Sequence, residues 1–147
     1  ILKNGTSDSR LDWFKVGDYK ALPNEVGGKE TIAPKKVSSE IKKLFSWYSA
    51  KEEVKFDDIL EFHYRFESIH PFQDGNGRVG RVLMFKECLK HNIIPFIIED
   101  EYKGLYYRGL SEYVNERGYL RDTCLVMQDK YELLIKRFLG DLLDGDR

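Results

Sequence analysis

The stretch HPFQDGNGRVGR, residues 70–81, gathers a histidine, an acid, an asparagine, three glycines and two arginines into twelve positions. Within it GNGRVG matches the glycine pattern G-x-G-x-x-G of dinucleotide-binding folds. The upstream flank decides against such a fold. That pattern has to leave a buried parallel strand, whereas FESIHPFQD is polar, broken by Pro71 and placed at the end of a helical period. A following helix, the apolar run IIPFII and the acids Glu99 and Asp100 about 20 residues on do not supply the missing strand. A P-loop needs Lys and Ser or Thr where Arg81 and Val82 stand. A calcium EF-hand begun at Asp74 would have Arg78 as a ligand and Phe85 in place of its bidentate glutamate. A plain glycine turn between helices accounts for Gly75, Gly77 and a capping Asn76. It leaves unexplained a histidine just ahead of the turn and two arginines on one helical face just after it.

Outward from the loop the chain reads as mainly helical. PKKVSSEIKKLFSWYS places Val37, Ile41, Leu44, Phe45 and Tyr48 on one face of a helix starting after Pro34. DDILEFHYRFESIH repeats the pattern with Ile59, Leu60, Phe62, His63, Phe66 and Ile69, capped by Asp57 or Asp58 and ended at His70 by Pro71. A helix beginning at about Gly77 is expected to bury Val79, Val82, Leu83 and Leu89, followed by helices over roughly Glu101 to Arg117 and Leu120 to Leu139. The last residues, GDLLDGDR, are expected to fray. Before the first helix, Tyr19 to Leu22 and Thr31 to Ala33 are expected as two short strands around a Gly27-Gly28 turn, with Pro23 interrupting the first arm.

The 147 residues suit one domain with a core of its own. With 24 basic and 25 acidic residues the net charge is -1, so no global field draws nucleic acid or an anionic membrane, and any phosphate site is local. No apolar run approaches the ~20 residues of a membrane helix, and no signal pattern opens the chain. Cys88 and Cys124 stand in apolar helical surroundings and read as buried thiols. His63 reads as a core or surface histidine without metal-ligand spacing, and His91 beside Asn92 as a helix-end residue. The chain opens at Ile1, which leads us to expect a piece of a longer protein.

Unpaired N–H groups at the start of the helix after the loop, with side-chain-free glycines before it, make an anion nest. Arg78 and Arg81 add two guanidinium forks that grip phosphate oxygens, which suggests more than one phosphate. Asp74 either pairs with an arginine or, with nucleotide bound, holds Mg²⁺ against phosphate oxygens, and the metal is favoured. His70 is the group able to take a proton near neutral pH, so the arrangement suits attack on phosphorus by a hydroxyl. Phe72 is expected to turn inward and anchor the loop.

These residues resemble the signature of the Fic-domain family, H-x-F-x-[DE]-G-N-G-R-x-x-R, at every defined position. The likeness extends less specifically from VGDYKALPNEVGGKETIAP to YYRGLSEY. The resemblance implies a mainly α, Fic-like helical bundle with a short β-hairpin flap near the N-terminus. It also implies transfer of AMP from ATP to a Ser, Thr or Tyr hydroxyl of another protein. By that resemblance His70 is the general base, Asp74 holds Mg²⁺ at the α- and β-phosphates, and Asn76 with the backbone at Gly75 and Gly77 forms the anion hole. Arg78 would contact the β-phosphate and Arg81 the γ-phosphate, while Tyr106 and Tyr107 match a region lining the nucleotide base pocket. The flap, Asn24 to Glu30, would pair with an extended piece of the target protein.

The family's inhibitory helix, [ST]-x-x-x-E-[GN], has no counterpart here. Ser49 to Glu53 comes nearest but is followed by Val54; the helix is expected upstream of Ile1, the alternatives being a separate partner or no such regulation. The alternatives kept open are a Fic-type phosphotransferase or de-AMPylase, and a regulatory module that binds nucleotide without turnover. ATP and Mg²⁺ imply a cytoplasmic setting; a homo-oligomer is left open, and neither membrane nor direct nucleic-acid binding is expected.

Overall fold

The computed structural model describes residues 14–144, with side chains through residue 140. These residues fall into two compact units, one ending at Leu83 and one beginning at Met84. The first unit opens with irregular chain and then a two-residue-per-arm hairpin, β1 (Glu25–Val26) and β2 (Lys29–Glu30), antiparallel with Val26 opposite Lys29. Helix α1 (Pro34–Ser49) and helix α2 (Phe56–Ile69) follow, and helix α3 (Asn76–Lys90) supplies residues to both units. The second unit continues through a short 3-10 turn (Asp100–Tyr102), helix α4 (Lys103–Glu112) and helix α5 (Gly118–Asp144). The chain is thus mainly helical with one small hairpin, and the apolar run at residues 93–98 forms no strand. Among the described residues, no helix is long and apolar enough to cross a membrane.

The hairpin lies around the expected turn, but its arms are not the expected ones. Gly27 and Gly28 both have positive φ, 58° and 74°, the pair of left-handed conformations that closes a two-residue hairpin. Pairing therefore begins next to the turn, at Val26 and Lys29, and extends to a bond from Thr31 N–H to the Asn24 carbonyl. Pro23 has no N–H to carry it further. The residues assigned to the first arm bond elsewhere: Lys20 N–H donates to the Pro71 carbonyl at 2.8 Å, and Leu22 N–H to Gln73 Oε1 at 3.1 Å.

Pro34 at the first turn starts α1, its missing N–H costing nothing where none is needed. One face of this helix buries Val37, Ile41, Leu44 and Tyr48 against Phe62, Phe66 and Ile69 of α2. Phe45, expected on that face, is largely exposed and meets Phe62 edge-on with ring centroids 5.6 Å apart. Helix α2 buries all six residues assigned to its core face. Its cap differs: Lys55 is the N-cap, and Asp58, three residues in, accepts the Lys55 N–H at 2.9 Å. A carboxylate at that position serves both the orphan donor and the helix dipole.

Helix α3 corrects the expected core most. Val82 and Leu89 are 68% and 57% exposed, whereas Asn76, Gly80, Met84, Glu87 and Cys88 are buried. Val79 and Leu83 pack, partly buried, on the α1–α2 core. The buried stripe follows the helical spacing of four, but small and polar residues occupy much of it, so it has no hydrophobic period to read. The helix ends with Asn92 left-handed and the Ile93 N–H bonded back to the Cys88 carbonyl, the usual closure for a helix whose cap is Gly or Asn. His91 sits at that end, 3.5 Å from Glu87.

In the second unit α4 packs on α5, with Tyr106 and Gly109 buried on one helix and Leu120, Cys124 and Met127 on the other. Cys88 and Cys124 are free, buried thiols; burial pushes Cys88 up to about 11 and Cys124 higher still, so neither is a nucleophile near neutral pH. Helix α5 runs on to Asp144, well past the expected end at Leu139; residues 145–147 of the tail expected to fray lie outside the described residues.

Candidate active site

Helix α2 ends at Ile69, and His70 follows as its cap in the left-handed region, φ 50° and ψ 61°. A helical conformation is disfavoured before proline, and histidine is among the residues that tolerate the left-handed one. This turns the imidazole out of the helix line. Its Nδ1 lies 3.3 Å from the Glu67 carbonyl, which favours the proton on Nδ1 and leaves Nε2 as the acceptor. Burial holds the His70 pKa below its ordinary value, helped by the positive charge of Lys20 and opposed by the Glu67 bond and by Asp74. The imidazole is therefore neutral at pH 7.

The loop is braced from within. Asn76 is buried, its Oδ1 accepting the Phe72 N–H at 2.8 Å and its Nδ2 donating to the Phe72 carbonyl at 2.7 Å. The amide so copies a backbone pair and fixes residues 72–76 as one closed turn. Phe72 packs on the α1–α2 core, its ring 6.4 Å from Phe66 and 6.2 Å from Tyr19, as the inward reading required. Gly75 adopts φ 82°, a conformation a side chain would strain. Helix α3 then begins at Asn76, and the first N–H groups of a helix have no partner within it.

Asp74 and Arg78 are about half exposed, with Arg78 Nη2 3.8 Å from Asp74 Oδ2, and Asp74 Oδ1 accepts the Gly75 N–H. Arg81 folds back along α3 toward the loop: a β-carbon at Gly77 would stand 3.1 Å from its Nη1. The two guanidinium groups, the N–H groups of the first helical turn and His70 thus belong to one loop and the two helix ends it joins. Tyr106 and Tyr107 lie on α4 in the second unit, with rings 5.3 Å apart; Tyr106 is buried in that unit and Tyr107 is exposed. Among the described residues no group of three or more His, Cys, Asp or Glu side chains is arranged to hold a metal by itself.

Two residues beside the loop escaped the sequence reading. Gly80 occupies an undefined position of the motif, yet a β-carbon there would overlap Glu67 Oε1 and stand 3.1 Å from His63 and Phe66. The third glycine that imitated a dinucleotide fingerprint serves the close approach of α2 and α3. Glu67, one turn before His70, is the second. Its Oε1 is buried without a hydrogen-bond partner, and burial pushes its carboxyl up to about 7 against the pull of Arg81. His63, in the same layer and fully buried, is driven down to about 4 by burial and is neutral. It is a core histidine.

The Glu67 shift has a consequence for stability. Its pKa is higher in the folded than in the unfolded chain, so its contribution is full at low pH and is lost as pH rises through about 7. Glutamine copies the protonated form and does not titrate. Glu67→Gln is expected to stabilise the protein by about 2–3 kcal/mol at pH 8 and by under ~1 kcal/mol at pH 5. Urea unfolding at the two pH values measures this, and equal effects at both would refute it.

The Fic/DOC family model matches residues 2–88. The chain is 29% identical over 132 residues to the protein adenylyltransferase fic-1 of Caenorhabditis elegans and 30% identical over 132 residues to the protein adenylyltransferase Fic of Aedes aegypti. Each alignment covers 88% of this chain but 26% of the relative, so the chain spans about a quarter of their length. A Fic domain containing signaling protein from Bacteroides thetaiotaomicron superposes with a TM-score of 0.67 at 23% identity, covering 82% of this chain and 53% of that one. A Fic family protein from Desulfovibrio desulfuricans superposes with a TM-score of 0.65 at 22% identity, covering 88% and 44%.

Proposed function

The chain belongs to the Fic/DOC family, and from that premise we propose that it transfers the AMP part of ATP to a Ser, Thr or Tyr hydroxyl of another protein. The observation that carries the reading is His70: an imidazole whose pKa burial holds below its ordinary value, with Nδ1 directed to the Glu67 carbonyl, beside a braced loop that opens helix α3. Its Nε2 takes the proton of the target hydroxyl as the oxygen attacks the α-phosphorus. The new bond joins target oxygen to phosphorus, the bond to the α–β bridging oxygen breaks, and pyrophosphate leaves.

The remaining groups hold charge in place. The backbone N–H of Gly77 and the forks of Arg78 and Arg81 bind phosphate oxygens, the Gly75 N–H being held by Asp74, while Asn76 keeps the turn in place by holding Phe72. Asp74 fits a magnesium site, because that ion takes one or two protein carboxylates and completes its shell with phosphate oxygens and water. When bound, Mg²⁺ would offset the charge on the phosphates. In the hairpin Asn24 to Glu30 the two strands are exposed and, among the described residues, pair only with each other, the form a target strand extends.

Incubation with Mg²⁺ and ATP labelled at the α- or the γ-phosphate tests this. Label is expected on protein from the α-position only. Label from the γ-position would replace the reading with phosphoryl transfer, and no label on the protein or on any offered target would leave a nucleotide-binding module.

A further inference from the structure

Lys20 sits in a turn-rich stretch where lysine is ordinarily solvated, yet it is 4% exposed. Its ammonium has three hydrogens, and three acceptors meet them: Asn24 Oδ1 at 2.7 Å, the Thr31 hydroxyl at 2.6 Å and the Ile69 carbonyl at 3.3 Å. All three are neutral. The first two belong to the residue pair at the open end of the hairpin, where Thr31 N–H also bonds the Asn24 carbonyl. The third is the last residue of α2, where unpaired carbonyls favour a cation. Around this point the backbone is tied as well: Lys20 N–H to the Pro71 carbonyl, Asn24 Nδ2 to the Phe72 carbonyl and Leu22 N–H to Gln73 Oε1. The bonds to residues 69–73 bridge about fifty positions of sequence and flank His70 on both sides.

A buried ammonium is costly unless its hydrogen bonds are complete, and burial lowers the pKa of Lys20. The same pairing between hairpin and loop is open to an apolar residue of similar length only without the three bonds and without the charge. That charge faces His70 together with the Asp74 carboxylate and the Glu67 carbonyl, and it acts in the direction that keeps His70 unprotonated.

We propose that Lys20 is a positioning residue whose ammonium joins the hairpin to the end of α2, so that the edge offered to a target and the alignment of His70 are set by one joint. This deepens the reading of His70 as the base and rests on it. The main readouts are therefore ones that need no nucleotide.

Lys20→Met is expected to speed amide exchange at Thr31, on the hairpin, and at Phe72, in the loop, by a common factor of about 10 or more. It is also expected to move the His70 titration, followed by imaging the imidazole signals in NMR, to higher pH, and Lys20→Arg is expected to restore most of that shift. Exchange that rises at Thr31 alone, or a His70 titration that stays in place, overturns the proposal. Thr31→Val keeps the ammonium and its bond to Ile69, so it remains informative if Lys20→Met does not fold. It is expected to speed exchange in the hairpin while leaving the His70 titration unmoved, and a shift in that titration would overturn the role of the charge. Where AMP transfer is observed, Lys20→Met should lower kcat/KM for the target about 10- to 10²-fold with the KM for Mg-ATP held within about twofold; an equal rise in that KM would count against the joint. A wild-type protein without transfer activity refutes the functional reading alone, since the exchange and titration results stand without it.

Discussion

Replacing His70 with alanine is expected to slow the proposed AMP transfer by on the order of 10²–10⁴-fold while leaving the affinity for Mg-ATP unchanged. The shape of the loop does not depend on this side chain. Phe72 is held by Asn76 and by the core, and Gly75 sets the turn with its own backbone. The variant removes a proton acceptor from a site that otherwise keeps its shape. Histidine already bears the cost of the left-handed φ, about 1–2 kcal/mol for a residue with a β-carbon, so alanine adds little strain, and thermal unfolding measured alongside separates loss of base from loss of fold.

The same residue fixes the acid side of the pH profile. A base acts unprotonated, and burial with the Lys20 charge holds His70 below its ordinary pKa of 6.5. The wild-type kcat/KM should therefore climb with pH and level off with a midpoint below 6.5, and the climb should vanish in the alanine variant. A fall of less than about 10-fold in rate, or an acid limb that persists without His70, would remove the histidine from the role of base.

How far these features could be read in the sequence depends on what each one is made of. Helices α1 and α2 bury Val37, Ile41, Leu44, Phe62, Phe66 and Ile69 at helical spacing, and their apolar period is visible because large hydrophobes carry it. The candidate loop could be singled out for a different reason: its residues are local, and twelve consecutive positions hold the histidine, the acid, the glycines and both arginines. Helix α3 was misread because its buried stripe runs through Asn76, Gly80 and Cys88, while Val82 and Leu89 face solvent. Hydrophobicity alone cannot reveal a helix that approaches its neighbour through a glycine. Lys20 was invisible for the converse reason. A charged residue among turn formers reads as solvated, and only its three acceptors, at separations of 4, 11 and 49 residues, explain its burial. The hairpin fell between these cases: Gly27 and Gly28 marked the turn, but which residues paired was decided by bonds from positions 20 and 22 to the loop.

A second glycine hidden from pattern reading is expected to give a large loss of stability when replaced. Gly109 lies in α4, and a β-carbon there would stand 2.6 Å from Leu120 Cα and 2.8 Å from Leu120 N. Those are backbone atoms of α5, so relief requires one helix to move off the other rather than a side chain to turn. Alanine gains about 0.8–1 kcal/mol of helix propensity over glycine, but overpacking a well-packed contact costs typically 1–3 kcal/mol and sometimes more. Gly109→Ala is expected to lose about 2 kcal/mol net, which for a chain near this size lowers Tm by roughly 4–8 °C. Tyr106, three residues earlier on the same helix and 1% exposed, should become accessible as α4 lifts. Gly104 supplies the control within the same helix, because a β-carbon there meets nothing within 4 Å. Gly104 lies in the first turn of α4, where propensity counts for less than in the interior, so Gly104→Ala should gain up to about 0.8 kcal/mol from propensity alone. Opposite signs for the two alanines identify helix contact as the cause, whereas a shared gain would mean that α4 and α5 are not held at this distance by Gly109.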